Sequence, residues 1–338
     1  MLSSEISIDC SMTLDAIKSF LGNDWIRTES LIRSSLVTDI ELLNRTNETI
    51  LAHSGKQLRP LVSLLVARAC SGGVTTEDSI RFAAASELLH NATLLHDDVA
   101  DSSPKRRGVP TVMSLLGGRA SVLIGDFWLV KALGIVLASS RPDKDVIGIF
   151  ARTLYYLAEG EMLQLQKAET GDTDEDAYYR IIYSKTASLF ETSAVSAALS
   201  VDAPEERVAA ARHYAVSLGI AFQIKDDIFD YSDDQAIGKP VGVDLDEQKI
   251  TLPLLGALSR VAAPVAASIR EKIVHIHECE AYKREIMSFV LENGGIEYAT
   301  ARLNEYVARA VRALDAFPET EEKRYLIQIA EFTADRKV

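Results

Sequence analysis

AAASELLHNATLLHDDVAD at Ala83–Asp101 and RHYAVSLGIAFQIKDDIFD at Arg212–Asp230 read as the same object twice, an apolar helix closing on Asp-Asp-x-x-Asp. A spacing of four sets Asp97 over Asp101, and Asp226 over Asp230, on one helical face. Asp98 and Asp227 lie about 100° further round, better placed to support ligands than to be them. Three carboxylates within five residues repel one another unless they are solvated or bound to cations. One such cluster reads as a solvated acidic face. Two, each ending an apolar helix, read as a site for a hard divalent ion, Mg²⁺, which completes its shell with water and substrate phosphates. The echo predicts two opposed helices of one bundle lining a central cavity. The chain, 1–338, is therefore expected to be a single all-α domain.

The rest of the pattern is helical too, with 9 prolines and 18 glycines in 338 residues. Periodicity predicts helices over 12–21, 25–53, 59–71, 77–101, 118–139, 143–168, 175–184, 187–200, 204–231, 247–260, 262–276, 281–293, 295–315 and 319–335. Breakers fall at Ser71-Gly72-Gly73, Gly117-Gly118, Arg141-Pro142-Asp143 and Gly238-Lys239-Pro240. Thr76 and Thr173, each followed by acids, are the expected helix starts. No segment alternates in a way that predicts a sheet.

Hydrophobic residues make up 47% and charged residues 25%, the composition of a soluble globular chain. A net charge of −13 argues against nucleic acid, whose phosphates need a basic surface. An anionic substrate must then be held by local cations and metal. Cys10, Cys70 and Cys279 are scattered and odd in number, which fits a reducing compartment and no zinc site. Glu5 and Asp9 stand where a secretory signal carries basic residues, so a cytoplasmic location is expected. The most apolar stretch, 120–139, is interrupted by Asp126 and Lys131 and reads as a buried core helix rather than a membrane span.

Cations bracket both acidic clusters. Lys56 and Arg59 lie in GKQLRP, with Pro60 in the first turn of the next helix. Lys105, Arg106 and Arg107 follow the first cluster; Lys185-Thr186 precedes the second, and Lys239 and Lys249 follow it. Taken together they suit two diphosphates, one bridged through Mg²⁺ to carboxylates and one held directly by Arg and Lys.

The ordered set GKQLRP, LLHNATLLHDDVADSSPKRRGVPT, Gly125-Asp126-Phe127, Lys185-Thr186, FQIKDDIFD, GKP and DLDEQKITLP resembles the trans-isoprenyl (polyprenyl) diphosphate synthases, of the long-chain type. The resemblance runs from about residue 50 to 260 and implies an isoprenoid-synthase helical bundle, a homodimer, and two or three Mg²⁺ ions bridging the allylic diphosphate. By matched position, Asp97, Asp101 and Asp226 would hold metal, with Asp98, Asp227 and Asp230 as outer or water-linked ligands. Arg106, Lys185 and Lys239 would grip the allylic diphosphate, and Lys56, Arg59, His90 and Arg107 the isopentenyl diphosphate. Thr186 and Gln223 would stand beside the reacting carbons. Gln57, Ser102, Ser103 and Gln248 depart from the usual pattern. The last makes the role of Lys249 less secure.

In this family the product grows from the first cluster back along its helix. Ala92 and Thr93, five and four residues before Asp97, are small, and Leu89 lies a turn further back. The distance from Asp97 to Ala85 is ~18 Å of helix, and each isoprene unit takes about one 5.4 Å turn. A product of C25 or greater is expected, in the C30 to C50 range used for quinone side chains. Phe127, Trp128 and Leu133 are candidates for the tunnel floor or for ordinary core. The resemblance implies no membrane span beyond transient association during product release. A shorter-chain synthase, a class I terpene cyclase and a non-catalytic regulatory subunit are the competing readings. The second intact acidic cluster and GKQLRP weigh against the cyclase, and the intactness of both acidic clusters weighs against the regulatory subunit.

Overall fold

A computed structural model describes residues 10–141, 144–231 and 241–336. Apart from one short hairpin, the described chain is helical. It forms two compact units, Met1–Phe150 with Thr192–Ala211 and Ala316–Leu326, and Ala151–Glu191 with Arg212–Asp315 and Ile327–Val338.

The first unit opens with α1 (Cys10–Leu21), α2 (Asn23–Ser35) and α3 (Glu41–Ala52). The expected single helix over 25–53 is thus broken. Asn44 explains the break: its side chain accepts from Thr38 N at 3.0 Å and donates to Thr38 O at 2.7 Å, while Asn47 donates to Leu36 O at 3.0 Å. Two side-chain amides satisfy backbone groups that a continuous helix would have paired. Then come α4 (Leu58–Ser71) and α5 (Glu77–Ala100). Thr76 caps α5 as expected, in a reciprocal capping box with Ser79.

Between α5 and the short α6 (Val112–Leu116), the chain makes an unexpected hairpin of β1 (Lys105–Arg106) and β2 (Val109–Pro110). Arg107 and Gly108 form its two-residue turn, both at positive φ, 52° and 79°. Two residues per strand carry no readable alternation, so periodicity misses it.

α7 (Gly118–Leu137) packs against α5, which also lies on α4. Leu61, Leu64 and Leu65 of α4, Phe82, Leu88 and Leu89 of α5 and Trp128 of α7 are fully buried, each worth about 1.5–3 kcal/mol of apolar burial. α7 corrects the expectation of a buried core helix. One face is buried through Ile124, Trp128, Ala132 and Val136, whereas Leu123, Val130 and Leu137 are exposed. Among the described residues it is the one helix long and apolar enough to cross a membrane.

α8 (Val146–Thr170), α9 (Glu175–Ile182), α10 (Ser188–Ser200) and α11 (Glu205–Phe229) follow. Asp174, rather than Thr173, caps α9 by accepting from Ala177 N at 2.8 Å. The expected gap between 175–184 and 187–200 is a π-helical turn, Tyr183–Ala187, that joins α9 to α10. Two glycines of the second unit admit it. A Cβ on Gly160 would lie 2.5 Å from Ser184 Cβ, and one on Gly219 2.5 Å from Ala187 Cα.

The chain continues with α12 (Val243–Asp246), α13 (Leu252–Leu258), α14 (Ala263–Val274), α15 (Glu280–Glu292), α16 (Gly295–Ala313) and α17 (Glu321–Asp335). The helix expected over 247–260 starts only at Leu252, after Thr251 in extended backbone. Ile224, Leu252, Leu254, Val290 and Leu303 belong to this unit's core.

Candidate active site

In the first unit, α5 carries the first acidic cluster at its C-terminus. Asp101 N donates to Asp97 O at 2.8 Å, so the two are one turn apart, Asp97 half-buried and Asp101 exposed. Asp98 points elsewhere, as its 100° offset requires. It is buried and accepts from Arg106 Nε at 2.8 Å. Arg106 is thereby anchored through one nitrogen of its planar head.

Arg107 reaches back from its strained turn to donate to His53 O at 2.7 Å. Its guanidinium lies over Gly55, where a Cβ would sit 2.5 Å from Cζ. Gly55 therefore brings Arg107 to the turn that carries Lys56 and leads to Arg59. Burial, partly offset by Glu87, lowers Arg59 to about 10. His90 is held well below its usual range by burial and then by Arg59, Arg107 and Arg106. A neutral ring among arginines is a hydrogen-bonding partner for an anion, not a charge. Four sequence-predicted groups thus converge on one electrostatic neighbourhood.

The motifs did not announce Glu87. It is buried on α5, accepts from Asn91 Nδ2 at 3.1 Å through Oε1, and its pKa is raised by burial against the opposing pull of Arg59. A carboxylate in an otherwise apolar run was the available signal.

The same unit has a cavity of about 330 Å³, lined by Asn91, Leu94, Asp98, Arg106 and Arg107 among others. It opens on the Asp98 side of α5. Of the chain-length candidates, Leu89 and Ala92 are buried, and Thr93 is half-buried with its hydroxyl donating to His90 O at 2.8 Å. Of the floor candidates, Trp128 is core: it is fully buried and Nε1 donates to Asn47 Oδ1 at 2.8 Å. Phe127 and Leu133 are half-buried.

In the second unit, the π turn presents Lys185 and Thr186. Lys185 Nζ donates to Gln164 Oε1 at 3.0 Å and pairs with Glu161. Thr186 Oγ1 donates to Gln223 Oε1 at 2.8 Å, Gln223 Nε2 donates to Asp227 Oδ1 at 2.9 Å, and Tyr178 Oη donates to Asp227 Oδ2 at 2.6 Å. Burial raises Asp227 to about 7 against the pull of those two donors. Asp230 accepts at both oxygens from the backbone of α12, from Val243 N at 2.9 Å and Asp244 N at 3.1 Å. Asp226 accepts from Arg336 Nη2 at 2.8 Å.

A cavity of about 130 Å³ brings Lys185, Gln223, Asp227, Asp244 and Lys249 together. Asp244 stands in the quoted DLDEQK but carried no assigned role. Burial first, and then Asp227, raises its pKa to about 8. Lys249 Nζ lies 3.8 Å from Asp244 Oδ1 and pairs with Glu247. Lys239 lies outside the described residues.

The carboxylates offer oxygen only, the donor set of a hard cation. Among the described residues, no three potential ligand side chains converge tightly enough to cage an ion.

A family model for polyprenyl synthetases matches residues 40–290. Over 326 residues the chain is 39% identical to the octaprenyl diphosphate synthase of Haemophilus influenzae, covering 96% of this chain and 98% of the relative. A solved polyprenyl synthase of Caulobacter crescentus, complexed with calcium and isoprenyl diphosphate, superposes at a TM-score of 0.87 with 32% identity over 96% of this chain and 98% of that one. A decaprenyl diphosphate synthase of Rhodobacter capsulatus gives the same TM-score and identity over 96% and 99%. With its isoprenoid-synthase helical fold, the chain belongs to the polyprenyl synthetase family, the prenyltransferases to which its ordered motifs point.

Proposed function

We propose that the chain extends an allylic diphosphate by repeated head-to-tail (1′-4) condensation with isopentenyl diphosphate to a long-chain product of C30 to C50. The observation that carries this reading is the gathering of Arg59, His90 and Arg107 into one cationic neighbourhood of the first unit. A diphosphate is the ligand for such a set, and a neutral His90 donates to it without adding charge. The names of the relatives support a long product, since they include octaprenyl and decaprenyl diphosphate synthases.

Lys56, Arg59, His90 and Arg107 hold the diphosphate of isopentenyl diphosphate. Arg106, fixed by Asp98, grips the allylic diphosphate together with Lys185 and Lys239. Asp97, Asp101 and Asp226 would hold the metal, with Asp98, Asp227 and Asp230 as outer or water-linked ligands. Two or three Mg²⁺ ions, when bound, neutralise the departing diphosphate. Thr186 and Gln223 place oxygen dipoles beside the allylic carbon as positive charge develops there. The double bond of isopentenyl diphosphate attacks that carbon, and the proton then lost passes to the released diphosphate. The whole chain, 1–338, works as one catalytic domain in the cytoplasm.

The functional form is a homodimer. Leu123, Val130 and Leu137 of α7 recur every seven residues, 59%, 66% and 68% exposed. That spacing makes one apolar stripe, and a second copy of the same face is its self-complementary cover.

The test is incubation with farnesyl diphosphate, labelled isopentenyl diphosphate and Mg²⁺, followed by dephosphorylation and separation by chain length. A ladder converging beyond C25 is expected. A stop at C20 overturns the long-chain assignment, and no incorporation with farnesyl diphosphate or with shorter allylic primers overturns the synthase.

A further inference from the structure

We propose that Arg336 is a positioning residue for Asp226, holding that carboxylate in the orientation in which it takes the metal ion. The inference rests on the assignment of Asp226 as a metal ligand.

Arg336 follows directly on α17 and, with its side chain 5% exposed, is among the most deeply buried arginines of the described chain. Its Nη2 donates to Asp226 Oδ1 and to Phe222 O, both at 2.8 Å. Its guanidinium lies 3.9 Å from the ring centroid of Phe222 and 5.3 Å from that of Phe229. A buried guanidinium is costly unless its charge is met, and here it is met by one carboxylate, one carbonyl and two aromatic faces. Nη2 and the two ring faces hold the head in place, while Nε is buried without a hydrogen-bond partner among the described residues. The contact arises far from the acidic cluster in sequence, 110 residues away, so no motif contains it.

Its consequence is directional. With Oδ1 engaged, Asp226 has Oδ2 left for an ion, and the carboxylate cannot rotate freely between the two. Ligating carboxylates are commonly held in this way by an outer partner, and losing that partner weakens metal affinity by about 10–100-fold. The C-terminal end of α17 therefore contributes to the second acidic cluster through one side chain.

The experiment compares the full-length protein with R336M, R336K and D226N. Free Mn²⁺ is measured by electron paramagnetic resonance in the presence of an unreactive allylic thiolodiphosphate, alongside the Mg²⁺ dependence of the initial rate and the KM for isopentenyl diphosphate. R336M keeps the stem on the phenylalanines but has no N–H. It is expected to bind Mn²⁺ about 10–100-fold more weakly, with KM for isopentenyl diphosphate unchanged and R336K in between. A merely structural arginine would lower the melting temperature and leave Mn²⁺ affinity alone, which overturns the proposal. Tighter Mn²⁺ binding in R336M overturns it too, by making Arg336 a competitor of the ion. If R336M does not fold, R336K decides, and wild-type affinity there overturns the proposal. D226N is the control for the underlying assignment: unchanged Mn²⁺ binding in D226N removes Asp226 as a ligand, whatever Arg336 does.

Discussion

His90 shows how a residue's chemistry is set by its neighbours. In the unfolded chain its imidazole titrates near 6.5; in the folded chain burial and three arginines hold it well below that. As pH falls through 6.5 the unfolded chain takes up a proton that the folded chain refuses, so the folded state loses stability on the acid side. In H90Q that contribution is absent. The fall in melting temperature between pH 7 and pH 5.5 is expected to be smaller in H90Q than in the wild type. KM for isopentenyl diphosphate should show no His90 step between pH 6 and 8, and a step near 6.5 that vanishes in H90Q would contradict the neutral ring.

Ala92 offers a second residue-scale test. Ala92→Phe or Ala92→Tyr is expected to shorten the product to about C15–C20, because an aromatic ring there plugs the growth path little more than one helical turn from Asp97 and closes everything beyond it. Ala92 is fully buried, so Thr93→Phe at the half-buried neighbour is the companion variant. Unchanged product length in both variants would remove this face of α5 from chain-length control.

At the scale of elements, the π turn places two of the second unit's proposed site residues. It presents Lys185 toward Glu161 and Gln164, and Thr186 toward Gln223. Single π turns inside longer helices recur at functional sites, where the extra residue re-aims side chains. Gly219 faces Ala187 so closely that a methyl group must push backbone. Gly219→Ala is expected to cost about 1–3 kcal/mol through overpacking and to lower kcat by displacing Thr186 from Gln223. A variant as stable and as active as the wild type would show that the turn has slack. The hairpin of the first unit has a similar role, spending positive φ at Arg107 to bring that side chain over Gly55.

At the scale of the whole molecule, the prediction concerns the outer stripe of α7. A charge at its centre, as in Val130→Asp, or in Val130→Asp with Leu137→Asp, is expected to shift the protein from dimer to monomer in analytical ultracentrifugation. An unchanged dimer would place the interface elsewhere. Val130 is 66% exposed, so the substitution removes no core contact and the fold should persist.

The all-α class was fixed locally, by 3.6-residue periodicity, by Thr76 as a cap and by the breakers between helices. The duplicated acidic clusters were equally legible, because a spacing of four means one face on any helix. Elements that span barely one period were not: the hairpin at Lys105–Pro110, α6 and α12 are too brief to carry a pattern. The break at 36–40 depends on which backbone groups Asn44 and Asn47 reach, and the π turn on two glycines from other helices. Asp244 stands in a quoted motif, but its place beside Asp227 and Lys249, like that of Arg336 beside Asp226, arises only in the fold. Local pattern can say which residues share a face; only tertiary structure decides which distant side chain meets a buried charge, because that partner is selected by packing and desolvation rather than by spacing.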